Sequence, residues 1–144
     1  MALAFSSRGM TDSKTAISPL VAGELAHALG AVAERDDLVA VVLTGAGKVF
    51  SAGGDLSQWG GGGAGESESS PSSLVDLLGR MHALGKPIIA MVNGHALAGG
   101  LGLMVACDLV VASDKATFGT TEIRLGLWPM MITAEIVRNI GRKK

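Results

Sequence analysis

Between Lys86 and Asp108 the chain reads KPIIAMVNGHALAGGLGLMVACD, and this order of residue types leaves few folds open. Pro87 acts as a stop, the apolar run Ile88 to Val92 predicts a short strand, a glycine-rich turn closes on Gly99-Gly100, and an apolar helix is expected over Gly99 to Cys107. A strand that feeds a helix through glycines leaves the first helical N–H groups unpaired and aimed at one point, a place that favours negative charge. Chemistry is expected there.

The flanking sequence repeats the same alternation. Ala2 to Ser6 reads as a strand fragment. Ser18-Pro19 is a helix start, an N-cap oxygen followed by proline at the first helical position. Val21, Leu25, Leu29 and Val32 then form one apolar stripe that ends near Glu34. Leu38 to Thr44 (LVAVVLT) is apolar and β-branched without alternation, as expected of a strand covered on both faces. Behind it come the turn Gly45-Ala46-Gly47, a short extension at Val49-Phe50, and a second glycine-rich loop, Ser51 to Asp55. Residues 60–73 (GGGGAGESESSPSS) are low in complexity, polar and glycine-rich, and read as a flexible insertion or a lid. Leu74, Leu77, Leu78, Met81 and Leu84 resume helical spacing up to the stop Gly85-Lys86-Pro87. Beyond Asp108, Leu109 to Ala112 looks like another buried strand, Ala116 to Phe118 pairs or extends, and Glu122 falls on an irregular segment. Ile132 to Ile140 is a last amphipathic helix with Gly141 at its C′ position. Helices alternating with strands argue a layered α/β arrangement with right-handed crossovers.

The 144 residues fit a single domain, 1–144. Although 48% of the residues are hydrophobic, none of the apolar runs reaches the ~18 residues that a membrane span needs, which predicts a soluble protein without a membrane partner. The formal net charge is −1, and the one basic block, Arg142-Lys143-Lys144, reads as a cut end, so no nucleic-acid partner is expected. The first residues lack a basic stretch followed by an apolar core, which points to the cytoplasm. Cys107, the single cysteine, lies in an apolar run where a thiol behaves as a small hydrophobe. The phosphate-binding fingerprints G-x-G-x-x-G behind the first strand and G-x-x-x-x-G-K-[ST] are absent, as is the hydrolase elbow G-x-S-x-G. The three histidines and one cysteine have no metal-ligand spacing, so no metal is expected. His27 is expected to be a surface or packed residue rather than a ligand, His82 to be solvated, and His95 to be packed.

What remains is a pair of glycine-rich turns, each behind a strand, and one carboxylate, Glu122, in a mostly apolar stretch. Two backbone N–H groups converging on one oxygen form an oxyanion hole, each donor being worth about 3 to 4 kcal/mol of barrier. A carboxylate nearby can then move a proton, which suggests carbonyl chemistry through an enolate. Asp55 is better suited to fixing its own loop than to catalysis. Asp108 and Asp114 read as structural, and Trp59 and Trp128 as walls of a pocket or as core or interface residues.

Two segments carry a family resemblance. VVLTGAGKVFSAGGDL (Val41 to Leu56) and KPIIAMVNGHALAGGLGLMVACDLVVASDKATFGTTEIRLGL (Lys86 to Leu127) resemble the enoyl-CoA hydratase/isomerase, or crotonase, family over roughly Ile17 to Gly141, apart from the insertion. The resemblance implies an α/β core of repeated ββα units and an acyl-CoA thioester ligand, with coenzyme A as part of the substrate and no separate cofactor. It implies trimers or hexamers, and a chain truncated at both ends, without the C-terminal helices that build the trimer, so that this piece alone is not expected to be active. The oxyanion hole would come from the N–H groups of Gly54 in AGGD and Gly99 in LAGG, and Ala52, Gly53, Gly54, Asp55 and Leu56 would line the CoA path. Hydratases of the family carry one glutamate two residues beyond the last glycine of the turn and a second in the F-G-x-x-E segment. Here the second is Glu122, while the first position is Gly102. Adding water needs two groups, whereas shifting a double bond needs one base that takes and returns a proton. The departure favours an enoyl-CoA isomerase. A hydratase with a displaced second acid, and a non-catalytic scaffold or RNA-contacting relative, are the competing readings.

Overall fold

The structure, a computed structural model, describes residues 3–4, 16–54 and 72–140. Nine short strands and four α-helices follow one another along the described chain. They are β1 (Leu3–Ala4), β2 (Ala16–Ile17), α1 (Pro19–Ala33), β3 (Val41–Thr44), β4 (Val49–Ser51), β5 (Gly53–Gly54), α2 (Ser72–Ala83), β6 (Ile88–Val92), β7 (His95–Leu97), α3 (Gly99–Val105), β8 (Leu109–Ala112), β9 (Phe118–Gly119) and α4 (Met130–Ile140). A 3-10 helix, Thr121–Leu125, separates β9 from α4. The strands form three parallel sheets: β1-β3-β6-β8, β4-β7-β9 and the pair β2-β5. Each crossover between neighbours of the largest sheet passes through a helix, the repeated strand-strand-helix plan expected from the sequence.

Local chemistry explains the element boundaries. Ser18 caps α1, its hydroxyl accepting from the Val21 N–H at 3.2 Å, and Pro19 occupies the first helical position. Leu25, Leu29 and Val32 are buried as the stripe requires, joined by Ala22. The helix ends at Glu34, and the carbonyls around this end meet the Lys86 ammonium, which donates to Val32 O at 2.7 Å and Arg35 O at 2.5 Å. Helix α2 ends before Gly85, which adopts φ +71. Asp108, behind α3, accepts the Ile88 N–H at 2.7 Å and so ties the start of β6 to the end of the following helix.

The core lies on one face of the largest sheet. There Val41 and Leu43 of β3 and Ile88, Ala90 and Val92 of β6 meet Leu25, Leu29 and Val32 of α1 and Leu77, Leu78 and Met81 of α2. Two expectations fail here. Burial alternates along β3 and only one of its faces is closed, so the unbroken apolar run does not mean cover on both faces. Strand β8 was expected to be buried, yet Leu109, Val110 and Val111 are all exposed. The reason is positional: among the described residues β8 ends the sheet order, with β6 as its one neighbouring strand. The turn expected before Gly99 also contains a strand, β7, which joins β4 to β9. The Gly/Ser-rich insertion falls outside the described residues up to position 71, as do Gly141 and the basic end. Among the described residues, no helix is long and apolar enough to cross a membrane.

Candidate active site

The two glycine-rich loops meet. Strand β5 pairs with β2 through Ala16 with Gly53 and Ile17 with Gly54, which holds the second loop in an extended conformation. Gly53 adopts φ +98, and a methyl group on it would lie 2.6 Å from Ala98 Cβ and 3.0 Å from Leu97 O, so only glycine lets the backbones touch. A methyl on Gly99 would lie 3.5 Å from the Gly54 nitrogen, so the backbones of the two glycines pack against each other. Between them, Ala98 is held at φ 48, ψ −127, a backbone state costing an alanine about 1–3 kcal/mol. Hydrogen bonds on both sides enforce it: the Ala98 N–H donates to Gly119 O at 2.8 Å, and Ala98 O accepts from Leu101 and Gly102 at 2.9 and 3.3 Å. Helix α3 starts at this strained residue and runs for seven residues, shorter than the sequence implies. Single N–H groups, rather than a long helix dipole, are therefore what it offers a ligand.

Gly54, Ala98 and Gly99 form one wall of a cavity of about 360 Å³. Ala52 also lines it, with its side chain exposed. Glu122 reaches the cavity from the 3-10 helix, whose end is fixed by Gly126 in the left-handed conformation and by the Leu127 N–H donating to Glu122 O at 3.1 Å. The Glu122 side chain is half-buried, and its Oε2 is fully buried without a hydrogen-bond partner. Among the described residues that line the cavity, Glu122 is the one titratable group. Apart from Thr121, the rest of the wall is apolar: Leu74 from α2, Leu125, Leu127 and Trp128 from the approach to α4, and Met130, Met131 and Ile132 from its first turn. Trp128 thus walls the pocket and is not a core residue, being 71% exposed. Asp55, Leu56 and Trp59 lie outside the described residues.

Other side chains take roles that sequence reasoning missed or misjudged. Ile132 packs on Gly102 so closely that a methyl at position 102 would come within 2.1 Å of its Cγ2. Position 102 therefore faces the side of α4 and does not open onto the cavity. Asn93 clamps the first glycine turn, accepting from the Gly45 N–H at 3.1 Å and donating to Gly47 O at 2.8 Å. His95 is not packed: it is exposed on β7, with Nδ1 2.6 Å from Thr117 Oγ1. His82 is exposed but not free, its Nε2 lying 3.1 Å from Oε2 of the buried Glu135 and 3.2 Å from Arg138 Nη1. Cys107 is buried, and burial, with the Asp108 charge beside it, pushes its thiol up to about 12. It cannot serve as a nucleophile near neutral pH. Among the described residues, no group of three metal-ligating side chains comes together.

Known proteins share this fold. The model of the enoyl-CoA hydratase/isomerase family matches residues 10–144. A Thermus thermophilus protein named as an enoyl-CoA hydratase is 40% identical over 135 residues, covering 92% of this chain and 53% of the relative. A mitochondrial protein of Dictyostelium discoideum named as an enoyl-CoA hydratase is 37% identical over 137 residues, covering 92% of this chain and 47% of the relative. The crystal structure of a Legionella pneumophila protein described as an enoyl-CoA hydratase/isomerase (crotonase) superposes with a TM-score of 0.85 at 33% identity, over 98% of this chain and 54% of that one. The chain thus spans about half the length of the relatives it matches. With both glycine loops, the Glu122 segment and every described strand but β1 inside the matched region, the chain belongs to the enoyl-CoA hydratase/isomerase family.

Proposed function

We propose that this chain carries the reaction centre of an acyl-CoA enzyme that shifts the double bond of an enoyl-CoA thioester, with Glu122 as its single acid and base. The observation that carries the reading is Glu122 itself: a carboxylate with a buried, unpartnered oxygen and no second titratable side chain among the described residues around its cavity. A base that meets no competing partner is free to hydrogen-bond a substrate.

In this mechanism the thioester oxygen accepts from the N–H groups of Gly54 and Gly99. Glu122 removes a proton from C2 of a 3-enoyl thioester, and the electron pair moves to the thioester oxygen, giving an enolate held by the two donors. The same carboxyl then returns the proton to C4 as the electrons close a bond between C2 and C3, leaving a 2-enoyl thioester. Atoms balance without water. The apolar wall suits the acyl group, and Ala52 to Leu56 would line the path of the CoA moiety. A homotrimer or hexamer in the cytoplasm is the assembly and location that go with this reading.

The test is turnover of 3-enoyl-CoA by the full-length protein, with Glu122→Gln lowering kcat by about 10²- to 10⁴-fold while the fold is kept. An unchanged rate in Glu122→Gln, or no double-bond shift in the wild type, would sink the proposal. The hydratase names of the two relatives favour a second reading, in which Glu122 works with an acid from outside the described residues. Formation of 3-hydroxyacyl-CoA from 2-enoyl-CoA as the main reaction would identify it.

A further inference from the structure

We infer that Ile132 is a specificity-determining residue whose side chain keeps water addition out of the reaction, an inference that rests on the functional reading above. Ile132 is 1% exposed in the first turn of α4 and lines the cavity. Its Cγ2 and Cβ would lie 2.1 and 2.8 Å from a methyl placed on Gly102, so one side chain fills the whole space between α3 and α4 at this level. Leu74, Met130 and Met131 continue the apolar wall around it. Among the described lining residues, the polar side chains are Thr121 and Glu122, and both come from the 3-10 helix.

Hydration forms a C–O bond at C3 and a C–H bond at C2, so the site must hold a water molecule while a proton is delivered elsewhere. A bound water needs about 2–4 polar partners. The Ile132 wall offers none from a side chain, and the bare backbone of Gly102 is sealed behind it. Proton transfer by Glu122 needs no partner on that wall. The isoleucine therefore separates the two outcomes by giving a water no side-chain partner on its own wall.

Ile132→Val and Ile132→Thr test this in the full-length protein, since valine and threonine share a shape and differ by one methyl exchanged for one hydroxyl. Each variant is given 2-enoyl-CoA and 3-enoyl-CoA, and the ratio of 3-hydroxyacyl-CoA to double-bond-shifted product is measured by mass spectrometry. The valine variant keeps the wild-type ratio, whatever its rate, and the threonine variant raises the hydrated fraction about tenfold, the worth of one added hydrogen bond. Equal ratios in two variants with native circular dichroism overturn the inference and leave the proposed function standing. If threonine prevents folding, the smaller matched pair Ile132→Ala and Ile132→Ser repeats the comparison, read the same way. A wild-type protein that shifts no double bond defeats the proposed function and this inference together.

Discussion

Gly102 has no room for a side chain, because Ile132 Cγ2 stands where its Cβ would be. Gly102→Ala forces a buried branched side chain or a helix axis to move, and overpacking of this kind costs about 1–3 kcal/mol. Urea denaturation should show the loss, and in an Ile132→Ala background the same substitution should cost less, since the obstructing methyl is gone. A wild-type midpoint for the single variant would contradict the contact. Cys107 gives a pH signature. Its thiol is at about 12 in the folded protein against 9.0 as the ordinary value, so between these limits the native state holds a proton that the unfolded chain has lost. Its contribution is therefore complete below pH 9 and falls as pH rises, by about 1.4 kcal/mol per unit. Cys107→Ala should lose stability less steeply than the wild type in denaturation series run from pH 8 upward, and parallel curves would refute the assignment. That Gly54, Gly99 and Glu122 come together at one cavity was legible in the sequence because each sits in a motif of fixed spacing. Ile132 was not, since isoleucine in a helical stripe says nothing of a glycine thirty positions earlier. The strained Ala98 was equally hidden, because alanine carries no mark of a positive φ.

Helix α1 shows how one element borrows its end from another. Lys86, in the turn after α2, donates to the carbonyls of Val32 and Arg35 and so closes the last turn of a helix more than fifty residues earlier. Both carbonyls also accept backbone N–H groups, from Arg35 and Leu38, so Lys86→Met leaves neither of them orphaned. The expected loss is about 1.5 kcal/mol, at the low end for a charged donor. It should be readable as a lowered thermal midpoint, and an unchanged midpoint would mean that the ammonium bonds add nothing to stability. Helices α1 and α2 and strand β6 were legible because apolar spacing agrees with a flanking signal in each, the Ser18-Pro19 start of α1 and the Gly85-Lys86-Pro87 stop between α2 and β6. Strand β7 was not: His95–Leu97 follows a glycine directly and is too short for alternation to register. Its pairing with β4 and β9 is long-range and leaves no local trace. The segment around Glu122 carried the opposite problem, since a 3-10 helix of five residues lacks the length to establish a period.

Across the described molecule, α1 and α2 cover one face of the largest sheet at β3 and β6, while its other face carries exposed apolar side chains. Register places Val42 beside Ile89, Ile89 beside Leu109, and Met91 beside Val111, so these residues share the face away from α1 and α2. Met91, Leu109 and Val111 are 48%, 58% and 62% exposed. Parallel sheets are as a rule covered on both faces, and a continuous exposed apolar surface favours association. Burial is a property of what stands against a strand, so the apolar character of Leu109 to Ala112 was legible while its exposure was not. The 144-residue chain in isolation is therefore expected to bind a hydrophobic dye and to sediment as concentration-dependent aggregates or oligomers. Leu109 and Val111 point out of the sheet at its edge, where charge is tolerated without disturbing the core formed by Ile88, Ala90 and Val92. Leu109→Lys combined with Val111→Lys should lower dye fluorescence and shift sedimentation towards a monomer while the helical circular dichroism is kept. A double variant that associates as strongly as the wild type would place the sticky surface elsewhere, with the exposed apolar residues Trp128 and Met130 beside the cavity the next to be tested.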